Sequence, residues 1–228
     1  MLTCESLCKY YQSSKGMVKS LDEINLSVSK GEFLEVRGHS GSGKTTLLLT
    51  LGAMMHPTHG KVVFKGTDLY RLNRAERARV RSSSIGFVFQ MFHLIPYLDL
   101  VGNVLAGDDG NHSGAHSKSE ALLQELGLGH RLNHLPNQLS AGEKQRVALA
   151  RAMVASPDLI LADEPTGNLD PENSKEVCRH LKRYQEKGGT VIVVTHGDAV
   201  HDFANRTIDL KAGEIISGPL LDHQADEA

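Results

Sequence analysis

The sequence lacks any apolar run long enough to cross a bilayer. Its most apolar helix candidate, Thr46–Met55, is far shorter than the roughly 20 residues that a transmembrane helix needs. No basic segment followed by an apolar segment stands near the first residue, so no signal peptide is expected. We therefore expect a soluble chain that reaches a membrane only through partner proteins.

The sequence also has little net charge and few cysteines. The formal net charge is −2, so no strong field favours nucleic acid or anionic lipid, and no nucleic-acid partner is expected. Cys4, Cys8 and Cys178 form no zinc pattern and are expected to be buried thiols in a reducing compartment. His112 and His116 lie four residues apart in a segment rich in glycine and serine, which favours a solvated loop over a metal site.

One glycine-rich stretch matches the phosphate-binding loop pattern G-x-x-x-x-G-K-[ST]. Its glycines let successive backbone N–H groups point at one anion. Lys44 adds a positive charge near the β- and γ-phosphates, the Thr45 hydroxyl can bind Mg²⁺, and a helix predicted from Lys44 to about Met54 directs its positive end at the same phosphates. The preceding Glu32–Arg37 is predicted to be a strand, which is the context that the motif requires. The predicted nucleotide-binding residues here are Gly38, His39, Ser40, Gly41, Ser42, Gly43, Lys44, Thr45 and Thr46.

The pattern of apolar runs predicts an α/β fold. The chain has 228 residues, enough for one large α/β domain or for a domain with an inserted subdomain. Strands that are apolar throughout have both faces covered, which is typical of a parallel sheet between helices. Three predicted strands have this character: Ile85–Phe89, Leu159–Ala162 and Thr190–Val194.

Other segments complete the predicted organisation. Composition changes from Met91 to about Asn137, where two short helical patterns predict a helical insertion. The predicted turns are Gln12–Gly16, between the strands Leu2–Cys8 and Leu21–Val28, and Gly66-Thr67-Asp68. A basic helix is predicted over Asn73–Arg81, and a hairpin joins Thr207–Leu210 to Glu214–Ile216.

Polar residues follow several predicted strands. In an α/β core the active groups sit at the carboxyl ends of the parallel strands, so these residues are expected to converge on one crevice with the phosphate loop. Asp163 can hold Mg²⁺ through its waters, and Glu164 is placed to polarise an attacking water as general base. Gln90 can reach Mg²⁺ or the water through its amide, and His196 can donate to the γ-phosphate.

Ser140 and Glu143 form the S-x-x-E capping box at the start of a helix predicted to run to about Val154. A helix start with a free hydroxyl and the close-approach glycine Gly142 is also a second anion site. Because one chain has two helix starts that can bind phosphate, the nucleotide is expected to bind between two chains.

The order of these motifs resembles the ATP-binding subunit of an ABC transporter. The resemblance extends from Leu2 to about Ser217, and its most specific parts are Leu139–Arg146 and the run Leu161–Asp170. These stretches, with Ser82–Pro96, are most similar to the lipoprotein-release and macrolide-exporter branch of the family. The resemblance implies a single domain over residues 1–217 and a polar tail over 218–228. That domain is a P-loop NTPase core with a mainly parallel sheet, an N-terminal antiparallel β subdomain and a helical subdomain at about 91–156.

The resemblance also implies roles for single residues. Tyr11, favoured over its neighbour Tyr10, matches the aromatic residue that stacks on adenine. Gln90 matches the lid glutamine that senses Mg²⁺. Ser140 and Gly142 would contact the γ-phosphate bound to the opposite subunit, and Asp170 would sit beside the opposite phosphate loop. The implied catalytic residues are Glu164, His196, Gln90 and Lys44, and the implied metal-binding residues are Thr45, Gln90 and Asp163.

Ala141 departs from the family pattern, which has a glycine at this position. If the backbone there needs a positive φ or close contact with phosphate, the alanine methyl costs about 1 kcal/mol or more. If Ala141 already lies in the first helical turn, alanine is harmless or favourable. The capping box favours the second alternative.

The function implied by the resemblance is ATP hydrolysis coupled to export or extraction of a substrate. ATP and Mg²⁺ would bind at the interface of a homodimer, and transmembrane permease subunits would hold the protein on the cytoplasmic, inner face of the cell membrane. The surface from Gln90 to Tyr97 would receive a segment of the permease. The alternative is an ATPase of the same build that regulates a cell-wall or division membrane complex without transport.

Overall fold

The computed structural model describes residues 1–14, 16–108, 110 and 114–217. Its strands are β1 (Leu2–Ser13), β2 (Gly16–Val28), β3 (Phe33–Arg37), β4 (His59–Phe64), β5 (Thr67–Asp68), β6 (Ile85–Val88), β7 (Leu159–Asp163), β8 (Thr190–Thr195), β9 (Arg206–Lys211) and β10 (Glu214–Ser217). Its α-helices are α1 (Lys44–Leu51), α2 (Arg74–Ser84), α3 (Leu100–Leu105), α4 (Ala115–Glu125), α5 (Ala141–Met153) and α6 (Pro171–Glu186). The predicted tail over 218–228 and His112 lie outside the described residues, whereas His116 lies in the first turn of α4.

The core is a six-stranded sheet in the order β10-β9-β3-β8-β7-β6, parallel except for β10. Alternate residues of β8 belong to different apolar clusters, with Ile192 and Val194 on one face and Val191 and Val193 on the other. Both faces of the sheet are therefore covered, as the continuous apolar strands predict. The predicted α/β fold is confirmed, and so is the hairpin formed by β9 and β10.

A four-stranded antiparallel sheet, ordered β2-β1-β4-β5, packs over the first face of the core. The turn predicted over Gln12–Gly16 is wrong at most of its positions, because β1 and β2 stay paired up to Ser13 and Gly16. The outer part of this hairpin is exposed and has no apolar alternation that would mark it as a strand. Within the predicted turn Gly66-Thr67-Asp68, Thr67 and Asp68 instead pair with β4.

Predicted helix ends differ from the observed ends by a few residues. Helix α1 stops at Leu51 because Gly52 and Ala53 leave the helical conformation, and Ala53 has a φ of 59°. Asn73 is the N-cap of α2 rather than its first helical residue, since its side chain accepts from the N–H groups of Ala75 and Glu76. Because the Asn73 carbonyl already accepts a helical hydrogen bond from the Arg77 N–H, such a position is easily counted as helical from sequence.

Helices α3, α4 and α5 pack over the second face of the sheet, and buried Asn103 fixes the segment that leads into them. The Asn103 amide accepts from the N–H of Ile95 at 2.7 Å and donates to the carbonyls of Ile95, Leu98 and Asp99 at 2.9–3.1 Å. One side chain thus satisfies the backbone groups of the turn before α3. The sequence carries no signal for this role, because the partners are set by the turn.

Replacing Asn103 with leucine, which has a similar volume, is expected to destabilise the fold. The substitution leaves the Ile95 N–H and three carbonyls without this partner, which costs about 2–4 kcal/mol. Urea unfolding followed by circular dichroism measures the change. A loss below about 1 kcal/mol would mean that water replaces the amide without penalty.

The strand order places one edge of the parallel sheet at the site described next. Strands β3, β8, β7 and β6 are neighbours, and all four run in the same direction. Their carboxyl ends lead into the phosphate loop, His196, Glu164 and Gln90, so the four groups predicted to converge lie along one edge.

Candidate active site

A cavity of about 510 Å³ lies at the carboxyl edge of the parallel sheet. It is bordered by the phosphate loop, the start of α1 and the ends of β6, β7 and β8. Its lining residues are Ser20, His39, Ser40, Gly41, Gly43, Lys44, Thr45, Thr46, Gln90, Asp163, Glu164 and His196. All of them except Ser20 were predicted to be site residues. The structure therefore brings together the phosphate loop and the polar residues that follow three other strands.

The phosphate loop depends on glycine at Gly43. This residue has a φ of 105°, in the left-handed region that favours glycine. A Cβ atom on Gly43 would lie 2.2 Å from the carbonyl oxygen of Ser20, which is too close for any side chain. Helix α1 begins at the next residue, Lys44, so its positive end faces the cavity. Gly38 and Ser42 do not line the cavity but support the loop, since the Ser42 N–H donates to the His39 carbonyl at 3.1 Å.

Lys44 is buried and folded back over the loop. Its ammonium group donates to the carbonyls of Gly38 at 2.6 Å and His39 at 3.1 Å. The same nitrogen lies 3.7 Å from Glu164 Oε1. A charge held by fixed carbonyls and facing one carboxylate is well placed to bind an anion in the cavity.

Asp163 and Thr45 form the part of the cavity that suits a divalent cation. Burial raises the pKa of Asp163, while the Thr45 hydroxyl and the charge of Lys44 act in the opposite direction. Gln90 lines the same cavity. Carboxylate, hydroxyl and amide oxygens are the ligands that Mg²⁺ takes in proteins, so these three residues fit a magnesium ion beside bound phosphates.

Glu164 is held at both carboxylate oxygens. Oε2 accepts from the Thr195 hydroxyl at 3.0 Å and from the His196 N–H at 3.3 Å, and Oε1 lies 2.8 Å from Nδ1 of His196. The backbone at Glu164 has a φ of 47°, which is rare for a residue with a side chain and is typical of functional positions. The carboxylate is therefore fixed in direction, next to Lys44 and at the mouth of the phosphate loop.

Ser20 is a cavity residue that the sequence does not reveal. It lies on β2 of the antiparallel sheet, and its hydroxyl hydrogen-bonds that of Thr46 at 2.8 Å. Its carbonyl oxygen also sets the space available at Gly43. Because a sheet that is distant in sequence brings Ser20 here, no local motif could have indicated it.

Besides Gly38 and Ser42, four predicted site residues do not line this cavity. Tyr11 lies on β1, where its hydroxyl contacts Met55 Sδ at 2.9 Å and its ring centroid lies 5.2 Å from Lys9 Nζ. Ser140, Gly142 and Asp170 lie at the starts of α5 and α6. Within the described residues of a single chain, these four residues lie outside the cavity that contains the phosphate loop.

Helices α5 and α6 begin side by side, joined through Asn173. The Asn173 amide donates to Asp170 Oδ2 at 2.6 Å, and its carbonyl oxygen accepts from Arg146 at 3.1 Å. A Cβ atom on Gly142 would lie 2.1 Å from Asn173 Oδ1, so a larger residue there would have to displace the Asn173 amide. The two motifs thus form one surface, and Asn173, which the sequence does not single out, connects them.

Ser140 caps α5 as predicted. Its hydroxyl accepts from the Glu143 N–H at 3.2 Å, and Glu143 Oε2 accepts from the Ser140 N–H at 2.8 Å. Ala141 is the first residue of the helix and is not among the residues with positive φ. The second alternative for Ala141 therefore holds, and its exposed methyl group strains neither the backbone nor the helix.

Comparisons with known proteins identify the family. The ABC transporter family profile matches residues 21–167. The lipoprotein-releasing system ATP-binding protein LolD of Geobacter metallireducens is 44% identical over 95% of this chain and 98% of its own length. The macrolide export ATP-binding/permease protein MacB of Chlorobaculum tepidum is 40% identical over 95% of this chain, which spans 34% of MacB.

A solved structure has the same fold. It is a dimeric post-hydrolysis state of the ATP-binding cassette MJ0796 bound to ADP and Pi, with a TM-score of 0.88 and 37% identity, covering 96% of this chain and 98% of that one. Profile, relatives and fold agree on one family. The chain belongs to the ABC transporter family, as an ATP-binding subunit that hydrolyses ATP.

Proposed function

We propose that two copies of this chain bind two ATP molecules, each with Mg²⁺, and that hydrolysis drives a membrane permease. The observation that carries the proposal is the division of the predicted site. Lys44, Glu164 and His196 share one cavity, whereas Ser140 and Asp170 lie on a separate surface. A second chain supplies that surface to the open side of the cavity.

Within one chain, the loop and Lys44 bind the phosphates. The N–H groups of the loop and the start of α1 point at the β- and γ-phosphates, and Lys44 exchanges its carbonyl partners for phosphate oxygens. Thr46 supports the loop through Ser20. Tyr11 stacks on the adenine ring.

Glu164 acts as general base on the attacking water. Thr195 and His196 fix the direction of its carboxylate, so the group accepts a proton without first reorienting. His196 then donates to the γ-phosphate. Thr45, Asp163 and Gln90 would hold Mg²⁺, which neutralises charge on the phosphates as the terminal phosphoryl group leaves.

The partner chain completes the site from the start of α5. The positive end of that helix, the Ser140 hydroxyl and the Gly142 N–H would contact the γ-phosphate, and Asp170 would sit beside the loop. The exposed surface around Ser140 and Ala141 supports this assignment. The dimeric MJ0796 cassette with ADP and Pi supports it as well.

A groove of about 400 Å³, separate from the nucleotide cavity, is suited to binding the permease. It is lined by the stacked rings of Phe87 and Phe89, whose centroids are 5.8 Å apart, and by His93, Ile95 and Arg151. Arg151 donates to the carbonyls of His93 and Phe92 and so holds the groove wall. Two large apolar side chains in the same chain segment as His93 and Ile95, namely Met91 and Tyr97, are exposed, as at surfaces that bind a partner.

The relatives' names indicate the kind of work performed. They are named for lipoprotein release and macrolide export, so we infer that this subunit powers extraction or export of a substrate. None of the described helices is long and apolar enough to cross a membrane. We infer that the permease holds the subunit on the cytoplasmic, inner face of the cell membrane.

Co-purification from detergent-solubilised membranes tests the proposed function. The tagged chain is expected to retain a membrane protein that raises its ATPase rate and that is needed for substrate movement in vesicles. A retained partner that raises the rate but moves nothing would favour the regulatory ATPase. Recovery of the chain without any membrane protein would contradict both.

A substitution in the groove tests whether this surface binds the permease. Replacing Ile95 with aspartate places a charge on the apolar wall, so the permease is expected to be lost from the pull-down while basal ATPase activity stays within about twofold. Ile216, which is 58% exposed and does not line the groove, gives the matched control. Equal loss of permease in Ile216→Asp would show that the effect is not specific to the groove.

A further inference from the structure

A separate cavity of about 380 Å³ lies at the opposite edge of the parallel sheet. Three of its lining residues, Lys30, Asp158 and Gly189, come just before β3, β7 and β8. It therefore opens at the amino ends of the strands, whereas the nucleotide cavity opens at their carboxyl ends. Its walls come from α4, the end of α5 and α6, and its volume is within the range of roughly 300–1,000 Å³ that is typical of small-molecule sites.

The wall of this cavity is apolar. Leu122 from α4 and Leu126, its C-cap residue, line the cavity together with Met153, Pro157 and Tyr184. The Tyr184 hydroxyl donates to the Pro157 carbonyl at 2.6 Å, so its polar tip is already satisfied and its ring is left as an apolar surface. The apolar part of a ligand could therefore pack against Leu122 on one side and the Tyr184 ring on the other.

The cavity carries an excess of positive charge. Its two carboxylates are neutralised, Glu125 by Lys187 at 2.7 Å and Asp158 by Lys65 at 2.8 Å. Three further cations line it, namely Lys30, Lys118 and Arg183, and none forms an ion pair with a carboxylate in the described part of the chain.

Lys118 is the most enclosed of these cations. Its ammonium group donates to the Ser156 hydroxyl at 2.6 Å. Burial lowers the pKa of Lys118, and the nearby charge of Asp108 raises it. An ammonium group that has lost part of its water to a neutral hydroxyl can still gain from an anionic acceptor.

His180 adds a polar group without a partner. Its side chain is 8% exposed, and its buried Nε2 atom has no hydrogen bond within the described residues. The nearest carboxylate oxygen, Glu176 Oε1, is 3.8 Å away, beyond hydrogen-bond distance. Buried polar atoms of this kind are rare in native proteins and often mark a ligand or water site.

We propose that this cavity binds a small amphipathic anion, with an aliphatic or aromatic body and one carboxylate or phosphate group. The body packs between Leu122 and Tyr184, and the anionic group reaches Lys118 and Arg183. Because residues of both α4 and α6 line the cavity, such a ligand would contact the helical segment and the core at the same time. No residue of the nucleotide cavity takes part.

Fluorescence titration with 8-anilinonaphthalene-1-sulfonate, an aromatic anion, tests the proposal on the full chain. We expect saturable binding that persists at saturating ATP and Mg²⁺. In the double variant Lys118→Gln with Arg183→Gln, affinity is expected to fall at least tenfold, as lost charge-assisted hydrogen bonds imply. The neutral analogue N-phenyl-1-naphthylamine is expected to bind both proteins equally.

Two further variants distinguish dye binding in the cavity from nonspecific dye binding. Leu122→Ala removes apolar contact and is expected to weaken both dyes several-fold, whereas Lys61→Gln, a charge loss on β4 away from the cavity, is expected to change neither. Retained ATPase activity shows that each variant is folded. Displacement of the anionic dye by ATP, or equal affinity in the double variant, would overturn the proposal.

Discussion

Replacing Glu164 with glutamine is expected to lower kcat for ATP hydrolysis roughly a thousandfold, the range that loss of a positioned general base produces. Phosphate release at saturating ATP and Mg²⁺ measures the rate. The affinity for ATP, followed by titration with a fluorescent analogue, is expected to stay within about threefold, because Lys44 and the loop contact the phosphates. An intact closed dimer that hydrolyses ATP slowly is therefore expected to accumulate.

The structure explains why this substitution isolates one chemical step. Glutamine has nearly the shape of glutamate and can still accept from the Thr195 hydroxyl, which lies 3.0 Å from Oε2. Its amide nitrogen cannot take a proton from water. The removal of a charge 3.7 Å from Lys44 also slightly favours binding of the phosphates.

A matched control exists on α2. Glu76 is a capping carboxylate, bonded to the Asn73 N–H at 2.9 Å and absent from the nucleotide cavity. Glu76→Gln makes the same chemical change and is expected to leave kcat within about twofold. If Glu164→Gln kept more than a tenth of the turnover, the base would have to be another group.

The parts of the site predictable from sequence are those set by local chemistry. The phosphate loop needs glycine where φ is positive, and Gly43 shows both that need and the steric reason for it. Polar residues after apolar strands mark strand ends, and Gln90, Asp163, Glu164 and His196 all reach the cavity. Because the carboxyl ends of parallel strands lie at one edge of the sheet, these separate residues can be predicted to form one site.

The missed residues depend on contacts between distant segments. Ser20 reaches the loop from another sheet, and Asn173 joins two helix starts that are about thirty residues apart in sequence. Periodicity and motif spacing describe neighbours along the chain, so they do not report such contacts. The same limit explains the hairpin at Tyr10 and Tyr11, whose pairing with β2 continues where the apolar pattern has ended.

Replacing Ser140 with arginine in the Glu164→Gln background is expected to abolish ATP-dependent dimers. In the proposed arrangement Ser140 faces the γ-phosphate of the opposite chain, and it is exposed in the single chain. A long side chain there clashes across the interface but leaves the cavity of its own subunit intact. Dimer mass, measured by size-exclusion chromatography with light scattering, is expected to fall to that of the monomer at saturating ATP. ATP affinity per chain is expected to stay within about threefold.

Two controls separate an interface effect from a folding effect. Ser140→Ala removes the cap, whose loss costs about 1 kcal/mol of stability, and the single hydroxyl contact to the γ-phosphate, but it adds no bulk at the interface, so dimers are expected to persist in it. Ser117→Arg places the same side chain on an exposed position of α4 and is expected to leave dimers unchanged. Full dimerisation of Ser140→Arg would mean that the start of α5 does not face the second nucleotide. In that case the cavity holding Lys44 and Glu164 would be completed by some other surface.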